Sequence, residues 1–141
     1  MQAQSELVMG VDFGTQSLKV ALYQTSGQRI WLDQERYPTH SYQDRAEQNP
    51  EDWWTAFCEV MRRLPDKVDR RQIRGMAVCA TSSTVLLTDE QGKPLMPAML
   101  WMDQRAVNEA EHINHQTGET IQSVLAYSGG KVSEEWMTAK S

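Results

Sequence analysis

Val11-Asp12-Phe13-Gly14-Thr15-Gln16-Ser17-Leu18-Lys19 sets a carboxylate, a glycine and two hydroxyls between two short apolar runs. Upstream, Val8 to Asp12 is a short apolar run that ends in a carboxylate. Downstream, Leu18 to Tyr23 forms a second run that stops at Thr25-Ser26-Gly27-Gln28, and Arg29 to Asp33 reads as a third. Runs of this length bounded by turn residues predict three strands in an antiparallel meander. Between the first two stand a glycine and two hydroxyl residues. Such a loop can aim backbone N–H groups and hydroxyls at phosphate oxygens, because small residues let the backbone approach closely. Asp12 can hold Mg²⁺ through water, since that ion keeps most of its hydration shell and prefers one or two carboxylates plus substrate phosphates. The same residues also suit an ordinary hairpin whose polar loop only makes the turn, and spacing alone leaves both readings open. Neither G-x-x-x-x-G-K-[ST] nor G-x-G-x-x-G occurs, so a nucleotide site here is of neither P-loop nor Rossmann type.

The polar stretch from Glu35 to Asn49 reads as an irregular connection. Asn49-Pro50-Glu51-Asp52 then offers a side-chain cap, a proline at the first helical position and acids in the first turn. Trp53, Phe57, Val60, Met61 and Leu64 follow at helical spacing before Pro65. Ile73 to Ala80 and Thr84 to Thr88 read as strands joined by Thr81-Ser82-Ser83, with Asp89 to Lys93 as a turn and Ala98 to Trp101 as another short strand. Asp103 is placed to cap a helix running to about His115, with Gly118 as its stop and a further helix over Glu119 to Ala126. Ser133 is expected to cap a final helix that has barely begun at Ser141. No repeat or linker interrupts the pattern, which predicts one α/β layer domain over residues 1–141.

With 141 residues, 40% hydrophobic and 23% charged, the chain has the composition of a globular domain. A formal net charge of -5 argues against nucleic acid or an acidic membrane as partner. Arg62, Arg63, Lys67, Arg70, Arg71 and Arg74 form one local basic run, read as a solvated helix end. Cys58 and Cys79 lie in apolar stretches without metal-ligand spacing and read as buried free thiols. Met1 to Leu7 has neither a basic nor an apolar leader region, and no run approaches the ~20 residues of a membrane helix. A cytoplasmic protein is expected. Glu109-Ala110-Glu111-His112 matches the Glu-x-x-His element of di-iron bundles, with His115 one turn further on, but no second such element is visible and the residues read as an exposed helix face.

Four segments in order resemble a known family. Asp12-Phe13-Gly14-Thr15 with Ser17 is similar to the first phosphate motif of the sugar kinase, actin and heat-shock chaperone ATPase superfamily. Ala46-Glu47-Gln48-Asn49-Pro50-Glu51-Asp52-Trp53-Trp54 resembles the helix start of FGGY carbohydrate kinases. Ile73 to Val78 leading into Thr84 to Asp89 resembles their sugar-side strand pair. Pro97-Ala98-Met99-Leu100-Trp101-Met102-Asp103-Gln104-Arg105 resembles their Trp-x-Asp-x-Arg segment. The resemblance implies a ribonuclease H-like, actin-like ATPase fold of which this chain is an incomplete N-terminal portion, the first part of a longer kinase domain.

It further implies ATP and Mg²⁺ as cofactors and a sugar or polyol as substrate. Asp12 would lie near the metal, and Gly14, Thr15, Gln16 and Ser17 around the β- and γ-phosphates. Thr81, Ser82, Ser83, Trp101, Asp103 and Arg105 would line the sugar pocket. The sugar loop carries neither Gln-Met-His-Gly, as in xylulose kinases, nor Asn-Gln-Arg-Glu, as in glycerol kinases; its Thr-Ser-Ser-Thr is nearer ribulose-type kinases. The family's catalytic base, an aspartate on a later segment, has no counterpart here, so the chain alone is expected to be inactive and, with apolar surface uncovered, to self-associate. Two rival readings rest on the residues themselves. A ribonuclease H-like nuclease would bring Asp33, Asp89 or Asp103 to a metal beside Asp12. A non-catalytic interaction module would bind partners through exposed edges.

Overall fold

The computed structural model describes residues 6–116, 118–127 and 129–140. Met1 to Ser5, which carry most of the leader reading, and Ser141 lie outside them. In order, the elements are β1 (Leu7–Phe13), β2 (Ser17–Gln24), β3 (Arg29–Arg36), β4 (His40–Tyr42), β5 (Arg45–Gln48), α1 (Pro50–Arg62), a turn of 3-10 helix (Arg70–Gln72), β6 (Ile73–Ala80), β7 (Ala98–Met99), α2 (Val107–Asn114), α3 (Glu119–Tyr127) and α4 (Met137–Lys140). They fall into two compact units, residues 6–38 with 50–81, and residues 39–49 with 82–140.

The first unit is a four-stranded sheet in the order β3-β2-β1-β6. The expected meander is present: β1 pairs antiparallel with β2, and β2 with β3. Gly27 turns between the last two with φ 89, a conformation that side chains disfavour. β6 then pairs parallel with β1, placing Cys79 opposite Asp12 and Ala80 opposite Phe13. Successive strand residues point to opposite faces. One face accordingly buries Met9, Val11, Leu18, Val20 and Leu22 against Ala56, Val60 and Leu64, with Trp53, Phe57 and Met61 packed at the edge of the cluster. Each fully buried Leu or Val contributes about 1.5–3 kcal/mol, so this shared core holds α1 on the sheet. Glu51 and Asp52 stand in the first turn of α1 and Arg62 in its last, the arrangement its dipole favours.

The basic run is matched by local partners. Arg63 bonds Asp33 at 2.6 Å, Glu35 at 2.7 Å and the carbonyl of Gln34 at 3.0 Å. Arg62 pairs with Glu59, Arg71 with Asp69, and Arg74 with Glu6. Burial would push the Asp33 carboxyl up, but Arg63 and the Gln34 amide outweigh it and hold it below the usual carboxylate range.

Both cysteines are free, but neither is buried: Cys58 is half-buried and Cys79 exposed. The correction has a simple cause. For Cys79, β6 is an end strand whose apolar run is uncovered: Arg74 to Ala80 are exposed, with Met76 and Val78 at 58% and 56%.

The second unit holds a small sheet in the order β4-β5-β7. The stretch expected to be irregular is thus partly a hairpin, with Gln43 at φ 54 in its turn. All three residues of β4 are exposed, so no apolar alternation marks it in the sequence. Thr84 to Thr88, expected as a strand, makes only isolated bridges, Val85 to Met99 and Thr88 to Pro94. Ala106, Ala110, Leu125, Val132 and Ala139 form the helical core of this unit. Asn114 ties it together, donating to the Val132 carbonyl at 2.8 Å and accepting from its amide at 2.7 Å. No helix among the described residues is long and apolar enough to cross a membrane.

Candidate functional site

The loop after β1 is a tight hairpin. With Phe13 opposite Leu18, only Thr15 and Gln16 lie at its tip, and the Gly14 amide donates to the Ser17 carbonyl at 3.1 Å. A Cβ on Gly14 would stand 3.2 Å from that carbonyl oxygen, so a side chain there presses directly on the closing hydrogen bond. Gln16 is exposed and Thr15 half-buried, which leaves the tip open rather than filled by packed side chains. Asp12 projects from the sheet face opposite α1. Its carboxylate is 47% exposed and lies 3.8 Å from the Lys19 ammonium. It lines an open cleft of about 340 Å³ with Gly10, Lys19, Ala21, Tyr23 and Ala77. The Cys79 thiol donates to Asp12 Oδ1 at 3.5 Å, and that bond, with burial and the carboxylate charge, pushes the thiol up.

Tyr37, which the sequence reading did not single out, buttresses this loop. It is buried at 7% exposure; its hydroxyl donates to the Gly14 carbonyl and its amide reaches the Gln16 carbonyl at 3.5 Å. Burial, with the Asp12 charge adding to it, pushes the phenol up to about 12, so the hydroxyl remains a donor throughout the neutral range. Tyr37→Phe removes one buried hydrogen bond and is expected to cost about 1 kcal/mol. Denaturant unfolding checks this, and an unchanged midpoint would mean that the hydroxyl does not support the loop. Thr81 joins the same unit, its amide donating to the Phe13 carbonyl at 3.1 Å as the parallel pairing runs past β6.

In the second unit two of the quoted segments are laced together. β5 pairs with β7, placing Glu47 opposite Met99 and Gln48 opposite Ala98. The Leu100 amide donates to the Ala46 carbonyl at 2.9 Å, and the Gln104 amide to the Asp44 carbonyl at 2.8 Å. Asp103 does not cap α2, which starts at Val107 with Ala106 as an unassisted cap residue. Its carboxylate is instead fully buried, accepting from the Ala46 amide at 2.9 Å and from Arg105 Nε and Nη2 at 3.0 and 2.9 Å. Burial would push this carboxyl up; Arg105 and the Ala46 and Arg105 amides outweigh it and hold it below the usual range. Arg105 also pairs with Glu47 at 2.8 Å.

Trp101 is 40% exposed. Ser82 is exposed, and Ser83 is half-buried with φ 57, a left-handed conformation uncommon for a residue with a Cβ. His112 and His115 face Gln116 and the Glu111 carbonyl. The acids that a second metal beside Asp12 would need are engaged elsewhere: Asp33 by Arg63, Asp89 by the amides of Gln91 and Lys93, and Asp103 by Arg105.

The model of the FGGY family of carbohydrate kinases, N-terminal domain, matches residues 7–133. An FGGY carbohydrate kinase domain-containing protein of Homo sapiens is 37% identical over 142 residues, covering 94% of this chain and 25% of that protein. The chain belongs to the FGGY family of carbohydrate kinases. Among its relatives, the xylulose kinase of Staphylococcus xylosus is 28% identical across 94% of this chain and 27% of that one. A solved structure of xylulose kinase from Rhodospirillum rubrum superposes with a TM-score of 0.80 at 24% identity, over 96% of this chain and 28% of that chain. The fold is therefore the α/β, actin-like ATPase fold of the FGGY kinases, opened by the antiparallel meander. This FGGY chain spans about a quarter of the length of the curated relatives it matches.

Proposed function

We propose that this chain is the N-terminal part of an ATP-dependent kinase acting on a hydroxyl of a sugar or polyol of the ribulose or xylulose type. The observation that carries the reading is the open hairpin after β1, held by Tyr37, with Asp12 beside it on an open cleft. Family membership supports it, and a relative named xylulose kinase supports the substrate class.

Phosphoryl transfer asks a protein mainly for positioning and charge stabilisation. The hairpin of Gly14, Thr15, Gln16 and Ser17 presents backbone amides and two hydroxyls that suit the oxygens of terminal phosphates. The residues present fit Mg²⁺ held mainly by water and phosphate. Asp12 is a half-exposed carboxylate, and no group of three or more His, Cys, Asp or Glu side chains forms a metal cage among the described residues. When bound, the ion would neutralise charge on the phosphate oxygens. On the sugar side, Thr81, Ser82, Ser83, Trp101 and Arg105 would contact substrate, with Asp103 serving the pocket by fixing Arg105. The nuclease reading is not favoured, because Asp33 is engaged by Arg63, Asp89 by the amides of Gln91 and Lys93, and Asp103 by Arg105.

The test is sugar-dependent release of ADP by the full-length protein across ribulose, xylulose, gluconate and glycerol. Turnover with a pentulose supports the proposal; turnover with none of the four overturns it. The 141-residue chain alone is expected to be inactive and cytoplasmic. It is also expected to self-associate through β6, an exposed apolar strand at the end of its sheet. Sedimentation should show mass rising with concentration and Val78→Lys should suppress it, whereas a monomer throughout would contradict this edge-pairing account.

A further inference from the structure

The Lys140 ammonium is directed into the sugar-side segment and, among the described residues, bonds only to backbone. It donates to the carbonyl of Leu100 at 2.6 Å, that of Trp101 at 3.1 Å and that of Glu135 at 2.9 Å. A lysine has three donors, so these three acceptors use all of them. The Leu100 carbonyl also accepts the Asp103 amide at 3.0 Å, so Lys140 joins a turn already closed by the first residue of the buried ion pair. No carboxylate lies within ion-pair distance of Lys140 among the described residues. Burial pushes the ammonium down, with the charges of Asp103 and Glu135 opposing that and Arg105 adding to it. A partly buried cation held by carbonyls alone is an expensive way to pack a helix end, since an apolar side chain would do so without desolvation.

We propose that Lys140 is a positioning residue for sugar binding, pinning the carbonyls of Leu100 and Trp101 so that the Trp101 ring and the Arg105 guanidinium hold their places. Removing the ammonium frees the turn to shift and leaves carbonyls without their donor, while the phosphate hairpin in the other unit keeps all its own contacts. The effect is therefore selective, falling on the sugar and not on ATP. This inference rests on the proposed role of Trp101 and Arg105 at the sugar.

The experiment compares Lys140→Met, Lys140→Gln and Trp101→Ala in the full-length enzyme, with KM measured separately for sugar and ATP. Lys140→Met is expected to raise the sugar KM about tenfold, the equivalent of about 1.4 kcal/mol, with ATP KM and kcat within about twofold of wild type. Lys140→Gln retains two amide donors and is expected to raise it less. Should Lys140→Met fail to fold, Lys140→Gln decides the matter alone. An unchanged sugar KM in whichever Lys140 variants fold overturns the proposal, as does a fall in kcat with both KM values unchanged. If Trp101→Ala also leaves the sugar KM unchanged, the pocket reading fails with it; if only Trp101→Ala raises it, the pocket stands and Lys140 is structural.

Discussion

Asp12→Ala should lower sugar-dependent ATP turnover of the full-length enzyme by about 10²–10³-fold, the loss seen when one preorganised electrostatic group is removed from a reacting centre. The chain should stay folded. Asp12 is half exposed, its ion pair with Lys19 is 3.8 Å long and exposed, and such pairs contribute about 0–1 kcal/mol. Activity and stability therefore separate at this position. Asp12→Asn keeps the shape and the Cys79 hydrogen bond but removes the charge, and should fall nearly as far. Turnover against Mg²⁺ concentration identifies the cause, since a lost metal contact shifts the half-saturation point upward. A variant that keeps wild-type turnover and wild-type Mg²⁺ response would remove Asp12 from the site.

The second large effect is on stability. Arg105→Met leaves the Asp103 carboxylate buried without its cation, and breaking a buried pair in this way costs about 3–5 kcal/mol. The pH dependence has a definite sign. Because Asp103 is held below its ordinary value of 3.8 in the folded protein, its contribution is fully present above that value and is lost as pH falls through the lowered one. In the variant, burial is no longer outweighed by the guanidinium, so the charged carboxylate becomes a liability that protonation relieves. The gap between wild type and Arg105→Met is thus widest near neutrality and closes in acid. Urea midpoints across pH measure it. An Asp103→Leu/Arg105→Met double variant should lose less than the two single changes summed, because no charge is left buried. A constant gap at every pH would contradict the assignment of the pair.

The parts of the fold legible in the sequence are those whose signal is local. The meander shows because Val8 to Asp12, Leu18 to Tyr23 and Arg29 to Asp33 are bounded by turn residues. Helix α1 shows because Pro50 and the first-turn acids mark its start. The β4–β5 hairpin does not, because β4 has no buried face and its pairing is set by backbone bonds alone. Asp103 looked like a cap because an acid before a helix usually is one; only the fold reveals that its oxygens are needed by the Ala46 amide, far away in sequence. The same holds for Tyr37 against Gly14 and Lys140 against Leu100. These contacts join residues with no sequence pattern between them, whereas the hairpin after β1 and the Trp-x-Asp-x-Arg segment are each contiguous and stand out as motifs. The exposure of the Cys79 thiol escapes the sequence for a related reason, since apolar neighbours along a strand say nothing about whether anything covers it.

Everything proposed for the site requires that the hairpin after β1 grip the terminal phosphates of a nucleotide. A crystal structure of the full-length enzyme with Mg²⁺ and a non-hydrolysable ATP analogue tests it most directly. Terminal phosphate oxygens are expected within about 3.2 Å of donors on Thr15 to Ser17, with Asp12 joined to the metal through water. Phosphates bound elsewhere, with Thr15 and Gln16 facing bulk solvent and Asp12 still paired to Lys19, would contradict it.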